Sequence, residues 1–170
     1  MLASPNRQVV TGYSLAPTSL LRIPAGTRLV LPSPNGAALS MATEQVPTLA
    51  GCLRNAGAVA EAVQTLGRRI SLIPAGEWWP DGTLRPAIED LLGAGAIIRH
   101  LAGTRSPEAA VAEATFLRFQ DNLITGLKQC GSGKELIARG FEADVELAAA
   151  LNQSASIPVL RDGAYVHQTV

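Results

Sequence analysis

Short apolar segments alternate with helix-compatible stretches along the first half of the chain. Three segments rich in aliphatic residues and bounded by proline, glycine or polar residues lie at positions 29–31, 48–52 and 70–73. Their length and flanks favour buried strands. Between the last two, Asn55 can cap a helix with aliphatic residues on one face, and Gly67 can end it. The alternation of strand and helix predicts a mainly parallel sheet with right-handed crossovers.

Helical patterns dominate the second half of the chain. They predict helices at residues 86–100 and 106–119 and shorter ones after positions 133 and 141. Residues 156–160 form a late strand, and Asp162 and Gly163 make a tight turn into residues 164–166, which predicts a C-terminal hairpin. Residues 1–170 are therefore predicted to form one three-layer α/β domain, with a mainly parallel sheet flanked by helices and a loop-rich lead-in at 1–26.

Composition narrows the class of protein. Hydrophobic residues make up 47% of the chain and charged residues 16%, which is typical of a folded protein with a substantial core. Fourteen basic residues balance fourteen acidic ones, and lysine and arginine do not cluster, so we expect no nucleic-acid partner. Because the even charge balance offers little repulsion between copies, we expect a homo-oligomer.

No segment predicts secretion or a membrane partner. The first residues lack the charged and apolar regions of a signal peptide, and no apolar run is long enough to span a bilayer. Cys52 and Cys130 are too few for a disulfide scaffold, and we interpret them as reduced thiols. We therefore expect a cytoplasmic protein that does not interact with membranes.

The first candidate for chemistry is the polar turn after residues 29–31. Ser33, Asn35 and Gly36 precede a helix-compatible stretch that begins at Ala37. In such a turn, backbone N–H groups at the helix start can hold an anion, and the side chains of Ser33 and Asn35 can add hydrogen bonds. An ordinary turn between a strand and a helix uses the same residue types, so both interpretations stay open.

The densest acidic group lies around the start of the helix predicted at residues 86–100. Glu77 and Asp81 precede that helix, and Glu89 and Asp90 lie in its first turn. Oxygen ligands suit Mg²⁺, which needs only one or two carboxylates beside water. Adjacent helical side chains point about 100° apart, so we do not expect Glu89 and Asp90 to bind one ion together. The alternative is that these acids simply stabilise the first turn of the helix.

Other motifs carry less information about function. Residues 131–134, GSGK, resemble the end of a phosphate-binding loop, but Lys128 stands where that loop has glycine and Glu135 where it has serine or threonine. His100 and His167 are isolated, and no spacing of cysteine and histidine predicts a zinc site.

Four segments occur in a familiar order. They read VLPSPNGAALS, LAGCLRNAGAVAEAV, IPAGEWWPDGTLRPAIEDLLGAGAII and GKELIARGFEADVELAAALNQSASIPVLRDG. Together, from about residue 13 to residue 162, they resemble the 2-phosphosulfolactate phosphatase family. The resemblance implies an α/β fold and a Mg²⁺-dependent phosphatase of coenzyme M biosynthesis.

The resemblance also implies site residues. The family's Asn-Gly turn falls on Asn35 and Gly36, its Asn-Ala helix start on Asn55, its Glu-Asp pair on Glu89 and Asp90, and a late acidic position on Asp144. In this scheme Asp90 holds the metal, with Glu89 or Asp81 assisting, and Glu89 and Asp90 carry the catalysis. The phosphate would be bound by Ser33, Asn35, Gly36, Arg54 and Asn55.

The expected function is Mg²⁺-assisted hydrolysis of a phosphate monoester of a small acidic metabolite. The family has an N-terminal portion with an Asp-Val-Leu-Arg-Ala-Thr-like motif, and nothing in this sequence matches it. That difference favours the alternative, a non-catalytic remnant of the fold that binds a metabolite or dimerises. We also expect the chain alone to be weakly active or inactive, and to self-associate through exposed strand edges and apolar patches.

Overall fold

The computed structural model describes residues 1–7 and 12–168. The helices within these residues are α1 Pro34–Met41, α2 Ala56–Leu66, α3 Ile88–His100, α4 Pro107–Phe119, α5 Leu123–Gln129, α6 Gly131–Ala138 and α7 Glu142–Ala149. The strands are β1 Glu77–Trp78, β2 Leu84–Arg85, β3 Pro158–Arg161 and β4 Ala164–His167. Short 3₁₀ helices occur at Pro17–Leu20, Leu53–Asn55 and Gln120–Asn122.

Helices α2 to α7, which we call the helical body, enclose the main hydrophobic core. Helix α3 lies at its centre, packed against α4 and α2, and its residues 92–98 are all buried. Burial of such an apolar stretch is the main source of stability for a helix of this length. The core is formed by Leu53, Ala56, Val59, Ala60, Leu92, Ala96, Ile97, Phe116, Leu123, Leu127, Val145 and Ala149.

The contact between α3 and α4 depends on Gly95. A Cβ atom at this position would overlap the carbonyl oxygen of Ala112 and lie 2.7 Å from Cβ of Phe116. Gly93 is different, because the nearest atoms to a Cβ there would be Cys52 Cα and the Leu53 nitrogen, both 3.9 Å away. A glycine inside a helix costs about 1 kcal/mol relative to alanine. Close packing explains this cost at Gly95 but not at Gly93.

Side chains cap helices α2, α4 and α6, and the cap predicted for α2 is wrong. Cys130 Sγ caps α6 by accepting from the Gly133 N–H over 3.3 Å. Ser106 Oγ accepts a hydrogen bond of 3.2 Å from the Ala109 N–H and so caps α4. Helix α2 ends at Gly67, as its sequence predicts, but Asn55 precedes it without capping it. Instead the Gly57 N–H donates to Asn152 Oδ1 over 2.8 Å. The cap of α2 therefore comes from a residue that follows α7, which no local pattern indicates.

The strands form two separate antiparallel hairpins. Strand β1 pairs with β2, and β3 pairs with β4 in a register that sets Val159 opposite Val166. Asp162 and Gly163 both have positive φ, 49° and 75°, as a two-residue hairpin turn requires. The predicted C-terminal hairpin is therefore confirmed.

The predicted parallel sheet is absent from the residues that the structure describes. Residues 29–31 contribute one parallel bridge, between Leu2 and Val30, and residues 48–52 one antiparallel bridge, between Leu49 and Val159. Residues 70–73 are in no strand. These segments are short, and a strand without neighbours on both edges gains little from pairing. The side chains of Val30 and Ile73 stay 59% and 65% exposed. The fold is thus mixed α/β, with two antiparallel hairpins in place of the expected parallel sheet.

Residues 12–20 are attached to the helical body through Asp144 on α7. This carboxylate is only 2% exposed and accepts hydrogen bonds from the N–H and the hydroxyl of Thr18, at 3.1 and 2.6 Å. Arg7 Nη1 donates to its other oxygen over 3.1 Å. A buried carboxylate is tolerated when it is paired and fully hydrogen-bonded in this way.

No helix in the described part of the chain is both long and apolar enough to cross a bilayer.

Candidate functional site

Helix α1 begins earlier than its sequence pattern indicates, and this places the polar turn inside the helix. Asn35 and Gly36 lie in its first turn, and Ser33 precedes it in an extended conformation. The Ala37 N–H donates to the Ser33 carbonyl over 3.3 Å. The side chain of Ser33 makes no capping bond to a described residue.

The side chain of Asn35 connects α1 to the loop before β1. Its Nδ2 atom donates to the Gly76 carbonyl and to Glu77 Oε2, both at 3.1 Å. One amide group therefore binds a main-chain oxygen and a carboxylate of consecutive residues. This contact joins positions 41 and 42 residues apart.

Asp90, in the first turn of α3, also binds Gly76, but through the main-chain N–H and not through the carbonyl. The Gly76 N–H donates to Asp90 Oδ2 over 2.8 Å. Gly76 has φ of +69°, a conformation that glycine adopts without strain and that turns its N–H and C=O toward different partners. Asn35, Gly76, Glu77 and Asp90 thus form one connected group, which we call the Gly76 junction.

The Gly76 junction is acidic, and its charge affects Asp90. Partial burial raises the pKa of Asp90, and the nearby carboxylates of Glu89 and Glu77 raise it further. The hydrogen bond from Gly76 acts in the opposite direction and lowers that pKa. The ionised form of Asp90 is therefore less stable here than in water, which is the situation that a bound cation relieves.

Glu89 faces a cleft beside the junction. The cleft has a volume of about 610 Å³ and is lined mainly by the β1–β2 hairpin, the start of α3 and the start of α6. The Cys130 thiol lies 3.9 Å from Glu89 Oε2, and burial raises the pKa of that thiol. Arg85 fixes one wall, because its guanidinium stacks 4.9 Å from the Trp79 ring centroid and pairs with Glu135 at 2.8 Å.

The remaining predicted site residues are engaged elsewhere. Asp81 is exposed in the β1–β2 turn, where hydrogen bonds from the side chain and the N–H of Thr83 lower its pKa. Arg54 donates to the Leu147 carbonyl over 2.9 Å. None of the hydrogen bonds or ion pairs among the described residues joins Asp81 or Arg54 to the Gly76 junction.

The side chain of Asn55 has a structural role, because its hydrogen bonds all go to the backbone. It is buried, and its Oδ1 accepts from the Cys52 N–H over 2.8 Å. Its Nδ2 donates to the carbonyls of Ala50 and Ser156, at 3.3 and 3.0 Å. Because both amide hydrogens are used, Asn55 in this structure holds two backbone segments together and has no donor left for a phosphate.

The sequence pattern includes Glu77 among the acids but does not place it in the site, and it indicates Gly76 only as part of the turn that ends residues 70–73. Glu77 lies two residues beyond Ala75, in a Pro-Ala-Gly-Glu turn, and nothing in that turn alone indicates contact with Asn35. The signal that was available is the glycine itself, since a glycine between a predicted strand and an acidic residue often marks a turn with positive φ.

The donor set at the junction can be compared with the needs of Mg²⁺. Among the described residues, no group of three or more acidic, histidine or cysteine side chains is arranged to hold a metal ion. The carboxylate of Asp90 accepts from Gly76 and that of Glu77 accepts from Asn35, and the charge of Glu77 is unfavourable for ionised Asp90. Because Mg²⁺ commonly takes one or two carboxylates and fills its other positions with water and phosphate oxygens, this set fits that ion.

Comparison with known proteins relates this mixed α/β chain to one protein family. The sequence model of the 2-phosphosulpholactate phosphatase family matches residues 12–163. The chain belongs to that family.

Individual relatives agree with this assignment. The chain is 36% identical over 140 residues to the 2-phosphosulfolactate phosphatase of Methanothermobacter thermautotrophicus, covering 81% of this chain and 58% of the relative. It is 27% identical to a probable 2-phosphosulfolactate phosphatase of Gloeobacter violaceus, covering 79% and 56%, and 28% identical to one of Thermotoga maritima, covering 84% and 60%. The chain therefore spans somewhat under two thirds of the length of these relatives.

Proposed function

We propose that this chain carries part of the active site of a phosphatase that hydrolyses a phosphate monoester of a small acidic metabolite, with 2-phosphosulfolactate as the first substrate to test. The observation that carries the proposal is the Gly76 junction, where Asn35 and Asp90, from two segments that match the family, bind opposite sides of one glycine. Membership of the family supports the reaction class.

Asp90, Glu77 and Glu89 supply negative charge to the site, and the Asn35 amide positions Gly76 and Glu77 there. Asp90 and Glu77 would hold Mg²⁺, and Glu89 would face the adjoining cleft, where a substrate can enter. The N–H groups of Asn35 and Gly36 in the first turn of α1, together with the Ser33 hydroxyl, would donate hydrogen bonds to the phosphate oxygens. Bound Mg²⁺ would polarise the phosphoryl group and orient water.

Arg54 and Asn55 enter this proposal only as supporting residues. Both are anchored to main-chain carbonyls of distant segments, so they set the position of the 3₁₀ helix that packs against α3. Their replacement would disturb the site through the fold. Asp81 would contribute to the metal only if the β1–β2 turn moved toward the junction.

We further propose that in proteins of the relatives' length the segments 29–31, 48–52 and 70–73 join a mainly parallel, three-layer sheet. The exposure of Val30 and Ile73 supports this, since aliphatic side chains of a predicted central strand are normally covered. We propose also that this chain associates with itself through these apolar segments, and that it acts in the cytoplasm.

The test is a phosphatase assay with and without Mg²⁺, run on this chain and on the full-length relative of Methanothermobacter thermautotrophicus. Asp90→Asn and Asn35→Ala should each lower Mg²⁺-dependent turnover at least tenfold. Asp121→Asn, which changes an exposed carboxylate in the 3₁₀ helix after α4, is the matched control and should keep wild-type turnover. Equal turnover of Asp90→Asn and wild type would remove Asp90 from the mechanism.

The second candidate function is a non-catalytic module that keeps the fold for binding or dimerisation. Exposed large apolar side chains at Val30, Leu31, Ile73, Trp78 and Leu84 favour it, because such groups are usually covered by a partner. This candidate requires that Mg²⁺ produce no turnover in the chain alone and that light scattering show a dimer or larger species. A monomer with full turnover would exclude it.

A further inference from the structure

A second cavity, distant in sequence from the Gly76 junction, lies where the first residues of the chain meet the loop between α6 and α7. It has a volume of about 370 Å³ and is lined by Asn6, Arg7, Arg139 and Phe141. Three of these four residues carry hydrogen-bond donors and the fourth is an aromatic ring. A cavity with this lining is suited to a polar, anionic ligand and not to an apolar one.

Two guanidinium groups approach the same aromatic ring. The Cζ atoms of Arg7 and Arg139 lie 6.0 and 5.6 Å from the centroid of Phe141. Each contact is favourable as a cation–π interaction. The two positive charges nevertheless repel one another, so an anion between them would stabilise the arrangement.

The two arginines beside the cavity differ in how they are paired. Asp144 is the acid that pairs with Arg7, which also donates from Nη1 to the Leu15 carbonyl over 3.2 Å. Arg139 forms no ion pair with any residue that the structure describes. The nearby acids Glu142 and Glu146 are both bound to Lys128, at 2.7 Å each. These three cations and three carboxylates carry no net charge together, but within the described residues the Arg139 guanidinium is not paired with a carboxylate and can donate to an added anion.

We propose that this cavity, which we call the Phe141 cavity, binds a small tetrahedral oxyanion such as phosphate, sulfate or the head group of a phosphate ester. The planar fork of Arg139 can donate two parallel hydrogen bonds to such a group, and Arg7 has Nε and Nη2 in addition to the Nη1 atom it already uses. The amide of Asn6 adds a neutral donor. The site is separate from the Gly76 junction and does not depend on the proposed function.

The test is a titration of the metal-free protein, in EDTA and at constant ionic strength, with inorganic phosphate. The Nε–H resonances of the arginines are followed by NMR. We expect the signals of Arg7 and Arg139 to shift saturably with phosphate and with sulfate, and much less with acetate, whose planar group carries less charge. Equal response to acetate, or no saturable shift, would overturn the proposal.

Variants separate this site from both the junction and ordinary surface arginines. Arg139→Gln should weaken phosphate binding at least tenfold. Arg118→Gln is the matched control, because Arg118 also stands over a phenylalanine, 5.7 Å from the Phe119 ring, but lines neither cavity. It should bind phosphate as wild type does, and so should Asp90→Asn. Equal loss in Arg139→Gln and Arg118→Gln, or loss in Asp90→Asn, would contradict the assignment.

Discussion

The helical body and the apolar segments at 29–31, 48–52 and 70–73 contain similar aliphatic residues but use them differently. In the helical body, Leu92, Ile97 and Phe116 are almost completely buried by neighbouring helices. In the segments, Val30, Leu31 and Ile73 remain exposed. The difference lies in partners, since a helix satisfies its own backbone and needs only a surface to pack on, whereas a strand needs other strands.

The comparison separates the helical body, which stabilises the fold, from the region in which the candidate site lies. The Gly76 junction lies at the boundary, with Asp90 provided by the helical body and Asn35 by the region of α1, outside it. A site built across such a boundary is held firmly on one side only. Changes in the helical body should therefore alter folding, and changes outside it should alter association or the site.

The largest expected effect is a loss of stability in Gly95→Ala. Its Cβ would overlap the Ala112 carbonyl, so α3 and α4 must separate, and we expect a loss of about 3 kcal/mol in the free energy of unfolding. Gly93→Ala is the matched control, because that Cβ would make only ordinary van der Waals contacts at 3.9 Å and alanine favours the helix, for a gain of up to about 1 kcal/mol. Urea unfolding measures both. Similar values for the two variants would show that α3 and α4 tolerate separation.

Asp144→Ala should have the next largest effect, because it releases residues 12–20 from the helical body. The change leaves Arg7 and both donors of Thr18 without their acceptor, and we expect a loss of about 2 kcal/mol. Thr18→Val removes only the hydroxyl and should cost about 1 kcal/mol. Hydrogen exchange of the amides at residues 14–20 should accelerate in Asp144→Ala. Unchanged exchange there would contradict the proposed role of Asp144 in holding this region.

Removing one methylene from an isoleucine compares the two regions directly. Ile97→Val should cost about 1 kcal/mol, because it opens space within the core. Ile73→Val makes the same chemical change at an exposed position and should alter stability by less than about 0.3 kcal/mol. Thermal unfolding at a fixed, low protein concentration provides the measurement. A large loss in Ile73→Val would mean that this segment is covered in solution, for example by a second copy.

The smallest expected effect on stability is that of Asp90→Asn, and it depends on pH. Since the folded protein raises the pKa of Asp90, it binds that proton more tightly than the unfolded chain, and ionisation of Asp90 lowers stability as the pH rises through the elevated pKa. Asparagine keeps the acceptor for Gly76 without the charge. Without metal, the variant should therefore melt slightly higher than wild type at pH 7, with no such advantage below the ordinary pKa of aspartate. A higher melting temperature for wild type at pH 7 would contradict this reasoning.

Local patterns in the sequence predicted the helices well and the sheet poorly. Ser106 and Pro107 at the start of α4, and Asp162 and Gly163 in the β3–β4 turn, act on their immediate neighbours. Such residues can be recognised in the sequence. The partners of residues 29–31 and 70–73 are not local, and no pattern within those segments identifies them. For the same reason, the cap that Asn152 supplies to α2 was not predicted.

Individual residues of the candidate site were easier to predict from the sequence than the contacts that each of them makes. Asn35 and Asp90 were named from their residue types and from the resemblance to the family, and the structure brings both to Gly76. Asn55 was named in the same way, yet its amide is used by three backbone groups from two distant parts of the chain. Residue type shows what a side chain can bind, but competition from the backbone decides what it does bind.

The attachment at Asp144 has a consequence for the order in which the chain folds. Thr18 and Asp144 are 126 positions apart, so closing that loop costs much more chain entropy than joining α3 to α4, which are neighbours in sequence. The helical body should therefore form early, and the N-terminal residues should dock last, onto a surface already in place. As the chain emerges from the ribosome, those residues would wait for α7 before they gain the buried carboxylate of Asp144 as an acceptor.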